Sequence, residues 1–349
     1  MKRLLLIAMA LFATATAFAY NPPVGGENIF YFADPELLSG GASATGGALH
    51  VVVPASIAFN PALPALNQRT AVNASYSLAF DTKTESPWAH FIQLGAIIPT
   101  KWCVFAGTAQ LSFADMNRMQ LGDTFVFRAG ASKDITDRLS VGANIYAGFY
   151  FAHNSDFTVG ADLGAVYNFD DLGFLKNPRL GLSFINLGKP LSGSYEVQGL
   201  DGTSNAVSYP SILTPRLSFS ATFFEVNGFS GSFSTDLSSP AFQNLVLDAS
   251  LGFAYRSLVQ VSFGWSMNRQ ELAHGCAMNM PSVGVRIRFV INSSKLSSRH
   301  EDWEESEMGP SLAWQDMYNG IHVISTGVQL DLGLADTAAP EIILWNGEE

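Results

Sequence analysis

From about residue 70 onward the chain repeats one theme: a segment of roughly ten residues with an apolar side chain at every second position, closed by glycine, asparagine, aspartate or proline. A period of two sends alternate side chains to opposite faces of a strand, so each segment has one apolar face and one small or polar face. In 247–256 the apolar Leu247, Ala249, Leu251, Phe253 and Tyr255 alternate with residues such as Asp248, Ser250 and Gly252. After only Ser257-Leu258 the pattern resumes with Val259, Val261, Phe263 and Trp265 against Gln260, Ser262 and Gly264, which reads as a hairpin. The same dyad runs through 157–169, 283–291 and 324–334. It recurs in 71–81, 91–100, 102–113, 125–131, 141–151, 180–187, 213–225 and 229–237, for 13 clear candidates in all. One weaker segment, 194–198 or 341–345, makes the number even.

So many consecutive hairpin-linked strands exceed what a soluble sandwich needs, and Trp88, Phe91, Trp102, Tyr150, Phe151, Tyr167, Phe169, Tyr255 and Trp265 fall near segment ends, as interfacial girdles do. Closing the strands on themselves satisfies every backbone hydrogen bond in lipid, which an open sheet does not. Composition agrees. The chain of 349 residues is 48% hydrophobic and only 14% charged, yet past the first residues it has no run of the roughly 20 apolar residues that a membrane helix requires. The expected fold is an all-β transmembrane antiparallel β-barrel.

Residues 1–19 read as a signal peptide, with Lys2 and Arg3 before the apolar run 4–12 and the small residues of Ala17-Phe18-Ala19 at cleavage spacing. The expected mature chain begins at Tyr20, and no cysteine follows the cleavage site to carry a lipid. Removing that peptide leaves 17 basic residues against 30 acidic ones, a formal charge of −13, which repels phosphates and sets nucleic acid aside. Cys103 and Cys276 lie far apart in sequence, and either a pair or two free thiols fits.

Ahead of the strands, 40–63 is too small and glycine-rich for a wall strand. Asn60-Pro61 marks a turn, with proline fixing φ and the preceding residue extended. On its chemistry the stretch is either a loop with a short strand at 49–53 or a segment folded inside whatever the strands enclose. Gly46-Gly47-Ala48, an apolar run and then Asn60-Pro61-Ala62-Leu63 resemble the amino-terminal segment of the FadL-like outer-membrane barrels, including the PorV branch and, most closely, the treponemal FadL-like proteins. Leu63 stands where that family usually has glycine, and Val53, Pro54 and Ala55 stand where the PorV branch usually has acidic residues. The resemblance implies 14 strands, a hatch over residues 20–69 inside a barrel over 70–349, an outer-membrane location, and passive uptake of hydrophobic ligands such as long-chain fatty acids. It also implies that Gly46, Gly47, Asn60 and Pro61 control the hatch. Two other readings stay open: a PorV-like scaffold for exported proteins, and a structural barrel exposed at the cell surface.

No catalytic constellation stands out. The six histidines are scattered without metal-ligand spacing, and Gly228-Phe229-Ser230-Gly231 lacks the final glycine and the strand-turn-helix setting of a nucleophile elbow. Neither enzymatic activity, a cofactor nor a metal is expected. The longer polar stretches, 188–210 and 293–320, read as external loops, and the acidic cluster from Glu301 to Glu307 lacks the spacing of a calcium loop. Arg128, Arg286 and Arg288 fall on the polar face of their segments with Asp162, Asp248 and Asp331. They either fill a polar lumen as ion pairs or meet the carboxylate of an amphipathic ligand such as a fatty acid or lipid.

Overall fold

The computed structural model describes residues 20, 22–67, 69–84, 88–116, 118–151, 155–191, 196–199, 202–205, 210, 212–291 and 306–333. The expected signal peptide, with its cleavage at Ala19, and the weak segment 341–345 lie outside them. The wall opens with β1 (Thr70–Asp81), β2 (Trp88–Pro99), β3 (Val104–Met116), β4 (Met119–Thr136), β5 (Leu139–Phe151), β6 (Ser155–Asn168) and β7 (Lys176–Lys189). A separate two-stranded hairpin, β8 (Glu196–Gly199) with β9 (Gly202–Asn205), follows. The wall then resumes with β10 (Thr214–Val226), β11 (Phe229–Ser238), β12 (Val246–Tyr255), β13 (Val259–Asn268), β14 (Ser282–Ile287), β15 (Phe289–Ile291), β16 (Ser306–Met317) and β17 (Ile321–Leu332). Each wall strand pairs antiparallel with its neighbours, and β17 pairs with β1 to close the ring. Because β14 and β15 continue one another along β16, the closed barrel has 14 strands. No described helix is long and apolar enough to cross a membrane; the strands do the crossing.

Two expectations change here. Of the weak segments, 194–198 overlaps only the small hairpin; the fourteenth strand is β16, which lies inside the stretch read as the loop 293–320. Pro310 hides it. A proline has no amide to give to a ladder, and the interruption between β14 and β15 falls beside it, where Ile287 and Arg288 make no pairing with β16. The two long polar stretches also cannot both be external. The chain leaves β7 at the end where β1 finishes, here termed distal, and leaves β15 at the end where β1 begins, here termed proximal.

The alternation sorts the two faces as the period of two requires. Along β1 the outward Val72 and Tyr76 are exposed, while Ala71, Asn73, Ser75 and Ser77 point inward and are buried. Trp88, Trp102 and Phe151 face outward near strand ends, where a girdle belongs. Phe91 and Tyr150, expected in the girdle, instead point inward at 0% exposure.

They have something to pack against, because residues 22–67 run through the barrel interior. Ile29, Phe32, Leu37 and Leu38 cluster with Phe91, Met116, Met119, Tyr150 and Met317 at distal strand ends. Val52, Ile57 and Leu63 cluster with Ala71, Ile97, Val104 and Val166 at proximal ones. The interior segment forms only short 3-10 turns, such as Pro54–Ala58 and Leu63–Leu66, and a wide turn at Leu37–Gly41; the strand envisaged over 49–53 is absent.

Candidate functional site

An irregular segment inside a barrel carries backbone carbonyls with no ladder to join, and a buried carbonyl without a partner is costly. The polar face of the wall supplies the donors. Ser75 Oγ donates to the Ala33 carbonyl at 2.6 Å, Gln110 Nε2 to Ile29 at 2.9 Å, Asn144 Nδ2 to Ile57 at 2.8 Å and Ser183 Oγ to Phe59 at 2.7 Å. Inward glycines supply the space: a Cβ on Gly142 would overlap the Pro61 carbonyl, one on Gly164 the Asn60 side chain, and one on Gly252 the Leu49 side chain. Gly160 instead makes room for the Tyr146 ring.

Of the residues expected to control a hatch, Asn60 is fully buried and has the most partners. Its Nδ2 donates to the Ala44 carbonyl at 2.6 Å and to Ala165 of β6 at 3.0 Å, while its Oδ1 accepts from the Ala62 N–H at 3.0 Å. Gly46 and Gly47 have φ of +83° and +87°, a region L side chains avoid, and a Cβ on Gly47 would also overlap the Gly40 carbonyl. Ser43 Oγ ties this turn by accepting from the Gly47 N–H at 2.9 Å. The structure therefore brings Gly46, Gly47 and Asn60 together around Ala44, with Pro61 following against Gly142.

A second contact on this turn was not anticipated. Arg216 of β10 donates to the Ala42 carbonyl at 2.9 Å and to Asp236 Oδ1 of β11 at 2.7 Å, and Asp236 Oδ2 accepts from the Ala44 N–H at 2.8 Å. Arg216 is 7% exposed and Asp236 1%, with Asp248 of β12 3.5 Å from the guanidinium. The dyad that placed Arg128 on a polar face places Arg216 there too, opposite Leu217 and Phe219 in phase, so the signal was present in the sequence.

The three arginines expected to meet a ligand separate into two places. Arg128 is sealed: it pairs with Asp162 of β6, and the rings of Phe30 and Tyr146 lie 4.4 and 4.5 Å from its Cζ. Arg286 and Arg288 instead line a cavity of about 380 Å³ at the proximal end, with Arg69, Glu307 and Asp331. Val51, Val52 and Leu66 of the interior segment give it an apolar side. The Arg286 guanidinium lies over Gly309, where a Cβ would come within 2.5 Å of its Nη2.

At the distal end a partly buried carboxylate ties down the beginning of the segment. Glu271, in the short helix α1 (Arg269–Ala273), accepts from the Gly25 N–H at 3.1 Å and from the Tyr318 hydroxyl at 3.0 Å. Burial pushes its carboxyl up to about 7 against these hydrogen bonds, and the same burial, with Glu271 alongside, raises the Tyr318 hydroxyl. Cys276 lies at this end and Cys103 at the proximal one, and both are free. Among the described residues no group of three His, Cys, Asp or Glu side chains is placed to hold a metal.

No family model and no curated protein matches the sequence. Solved barrels do match the structure. The P. putida toluene transporter TodX aligns with a TM-score of 0.51 at 14% identity, over 86% of this chain and 100% of that one. A monoaromatic hydrocarbon channel, CymD, gives 0.51 at 12% identity over 88% of this chain and 99% of that one, and a TodX deletion mutant gives 0.51 over 87% and 98%. At these identities the likeness shows the fold alone, the closed β-barrel that these channels share. It does not bear on the treponemal or PorV branch.

Proposed function

We propose that the protein is an outer-membrane channel for the passive uptake of hydrophobic compounds, with residues 20–69 as a hatch. One observation carries the reading. The interior is occupied by a segment with hardly any regular structure, held by side-chain hydrogen bonds and close glycine contacts rather than by the ladder of the wall. Such a segment can shift while the closed wall persists, because the two depend on different bonds. The longest connection between wall strands, 190–213 after β7, lies at the distal end, which supports a distal end facing outward and a proximal end facing the periplasm. A ligand entering from the distal side meets the buried apolar cluster around Phe32, Phe91 and Tyr150. Binding there displaces the hatch, with Gly46, Gly47, Asn60 and Pro61 as its pivot, and the ligand leaves through the wall or lumen down its gradient. No catalytic step is involved.

The hydrocarbon channels that share the fold support a hydrophobic ligand, and long-chain fatty acids are the class we assign. Membership of the treponemal branch rests on the motif from Gly46 to Ala62 alone. The test is uptake of labelled oleate and toluene by cells that carry the folded barrel in an otherwise uptake-deficient outer membrane. Faster entry of either supports the channel. Entry equal to that of cells without the barrel rules it out and leaves the scaffold reading, for which exported proteins should co-purify.

A further inference from the structure

Sulfur is gathered at one end of the barrel. Past residues 1–19 the chain has seven methionines, and six of them, Met116, Met119, Met267, Met278, Met280 and Met317, stand at or beyond distal strand ends; Met308 alone is proximal. Met116, Met119 and Met317 are fully buried in the cluster around Phe32 and Tyr150. Met278 and Met280 are 53% and 56% exposed, although methionine is among the side chains most often buried. Both belong to the run His274-Gly275-Cys276-Ala277-Met278-Asn279-Met280, which leads from α1 to β14 and places an imidazole, a thiol and two thioethers at every second position.

The backbone of this run is pinned while its methionines face out. Asn279, 8% exposed, turns inward, where its Oδ1 accepts from the Tyr318 N–H at 3.1 Å. The Met280 N–H donates to the Asp316 carbonyl at 2.9 Å, and the Met280 carbonyl accepts from Gln315 Nε2 at 3.0 Å. Met278 and Met280 flank Asn279 on the outward side. At an extended rise their Cα atoms stand roughly 6.6 Å apart, a gap that two flexible thioethers can close on one ion.

His274 is oriented as a ligand. Its Nδ1 lies 2.9 Å from the Gln270 carbonyl, which can only accept, so in the neutral ring Nδ1 bears the hydrogen and Nε2 keeps its lone pair. A metal-binding histidine is fixed in the same way, with its other nitrogen donating to a carbonyl. Cys276 packs half-buried against the core, and burial, with Glu271 alongside, pushes its thiol up to about 11. It therefore meets an ion as a thiol that must first lose its proton, and the thioethers lead. No carboxylate falls within 274–280. Soft sulfur with imidazole selects ions such as Cu(I), whereas Mg²⁺ and Ca²⁺ ask for hard oxygen donors.

We propose that the run 274–280 binds one soft monovalent cation of the Cu(I) class through the Met278 and Met280 thioethers and His274 Nε2, with Cys276 as a fourth donor. The site stands apart from the channel reading and needs no hydrophobic ligand.

The experiment uses the full chain carrying Cys103→Ser, which removes the proximal thiol, folded in detergent and chloride-free buffer. Native mass spectrometry follows its titration with Ag(I), an air-stable soft ion, and with Zn(II), a borderline one. One Ag(I) should bind per chain, about tenfold or more tighter than Zn(II). Met278→Leu with Met280→Leu keeps the apolar volume and removes the sulfur, so the heat-induced gel shift should stay while Ag(I) affinity falls about tenfold or more. His274→Ala should weaken binding, and Cys276→Ser should leave the ion bound. Bound Ag(I) should also shield Met278 and Met280 from hydrogen peroxide, which otherwise transfers one oxygen atom to each thioether and leaves as water. Failure to bind Ag(I), or Zn(II) binding as tight, would overturn the proposal. So would Ag(I) binding that survives the double leucine variant and disappears in Cys276→Ser, which would show a lone thiol only, or sulfoxidation that proceeds equally with and without Ag(I).

Discussion

Replacing Asn60 by alanine removes one buried anchor that holds the interior segment against the wall. The side chain is 0% exposed and makes three hydrogen bonds, to the Ala44 and Ala165 carbonyls and from the Ala62 N–H. Truncation removes all three and leaves their buried partners unsatisfied, at about 1–1.5 kcal/mol for each bond, so the seated segment loses roughly 3–4.5 kcal/mol. Gly164, whose missing Cβ makes room for the Asn60 oxygen, cannot fill the space left behind. None of the lost bonds belongs to the strand ladder of the wall. The population of unseated segment should therefore rise by roughly a hundredfold to a thousandfold while the barrel stays closed, since each 1.4 kcal/mol is a factor of ten. Asn60→Asp keeps the acceptor for Ala62 but turns an oxygen toward two carbonyls, and should unseat the segment at least as much.

Single-channel recording in planar bilayers reads the effect directly, with the heat-induced gel shift reporting the wall. A wild-type barrel that is mostly closed and an Asn60→Ala barrel that opens far more often, with an unchanged gel shift, is the expected result. Two outcomes refute the reasoning. If the variant folds and conducts as the wild type does, the segment does not depend on this anchor. If the gel shift is lost, the segment is part of the barrel's folding core rather than a movable insert.

Gly47→Val should act in the same direction, because a side chain at φ +87° costs about 1–2 kcal/mol before its overlap with Gly40, and elastase, which cuts after small side chains, should then cleave within residues 40–50 of the folded barrel. Arg216→Met leaves Asp236 and Asp248 facing each other without their cation and should cost about 3–5 kcal/mol by chemical denaturation, whereas adding Asp236→Asn and Asp248→Asn should recover much of it. The distal tether should depend on pH: Glu271 has its folded pKa raised from 4.5 to about 7, so its contribution is fully present below about pH 4.5 and is lost as pH rises through about 7. Protease protection of the segment's first residues should fall across that window and become flat in Glu271→Gln. Pro310→Thr restores an amide opposite Ile287 and should slow hydrogen exchange along β14 and β16 without changing the strand count.

Wall and interior differ in how much of them the sequence discloses, for a physical reason. A lipid-facing strand must be apolar on one face at every second residue, so each such strand writes its own period. Thirteen of the 14 were legible, as was the inward side of Arg128 and Arg286. β16 escaped because its outward positions include Pro310 and Asp316 beside Leu312 and Trp314, and because acidic residues precede it. Phe91 and Tyr150 misled because an aromatic near a strand end fits either face, and only the presence of Phe32 inside decides between them.

The interior obeys no period. Glu36, Asp34 and Ser39 stand where they do because a turn at Leu37–Gly41 carries them to Arg286 and Gly284, and no local pattern announces such a pairing across about 250 residues. What the sequence did hold was the complement: glycines at Gly142, Gly164, Gly252 and Gly264 on the polar face of strands that otherwise favour bulk. A strand gives up side-chain packing at such a position, and the gain appears only if another backbone comes close. Inward glycines on several strands thus imply an occupant of the lumen before its path is known. The same reasoning extends to Gly309, whose missing Cβ receives a guanidinium rather than a backbone. Gly309→Ala should displace Arg286 without removing its charge. It should lower the denaturation midpoint less than Arg286→Gln does and leave protease protection of the interior segment unchanged, which separates the position of that charge from its mere presence.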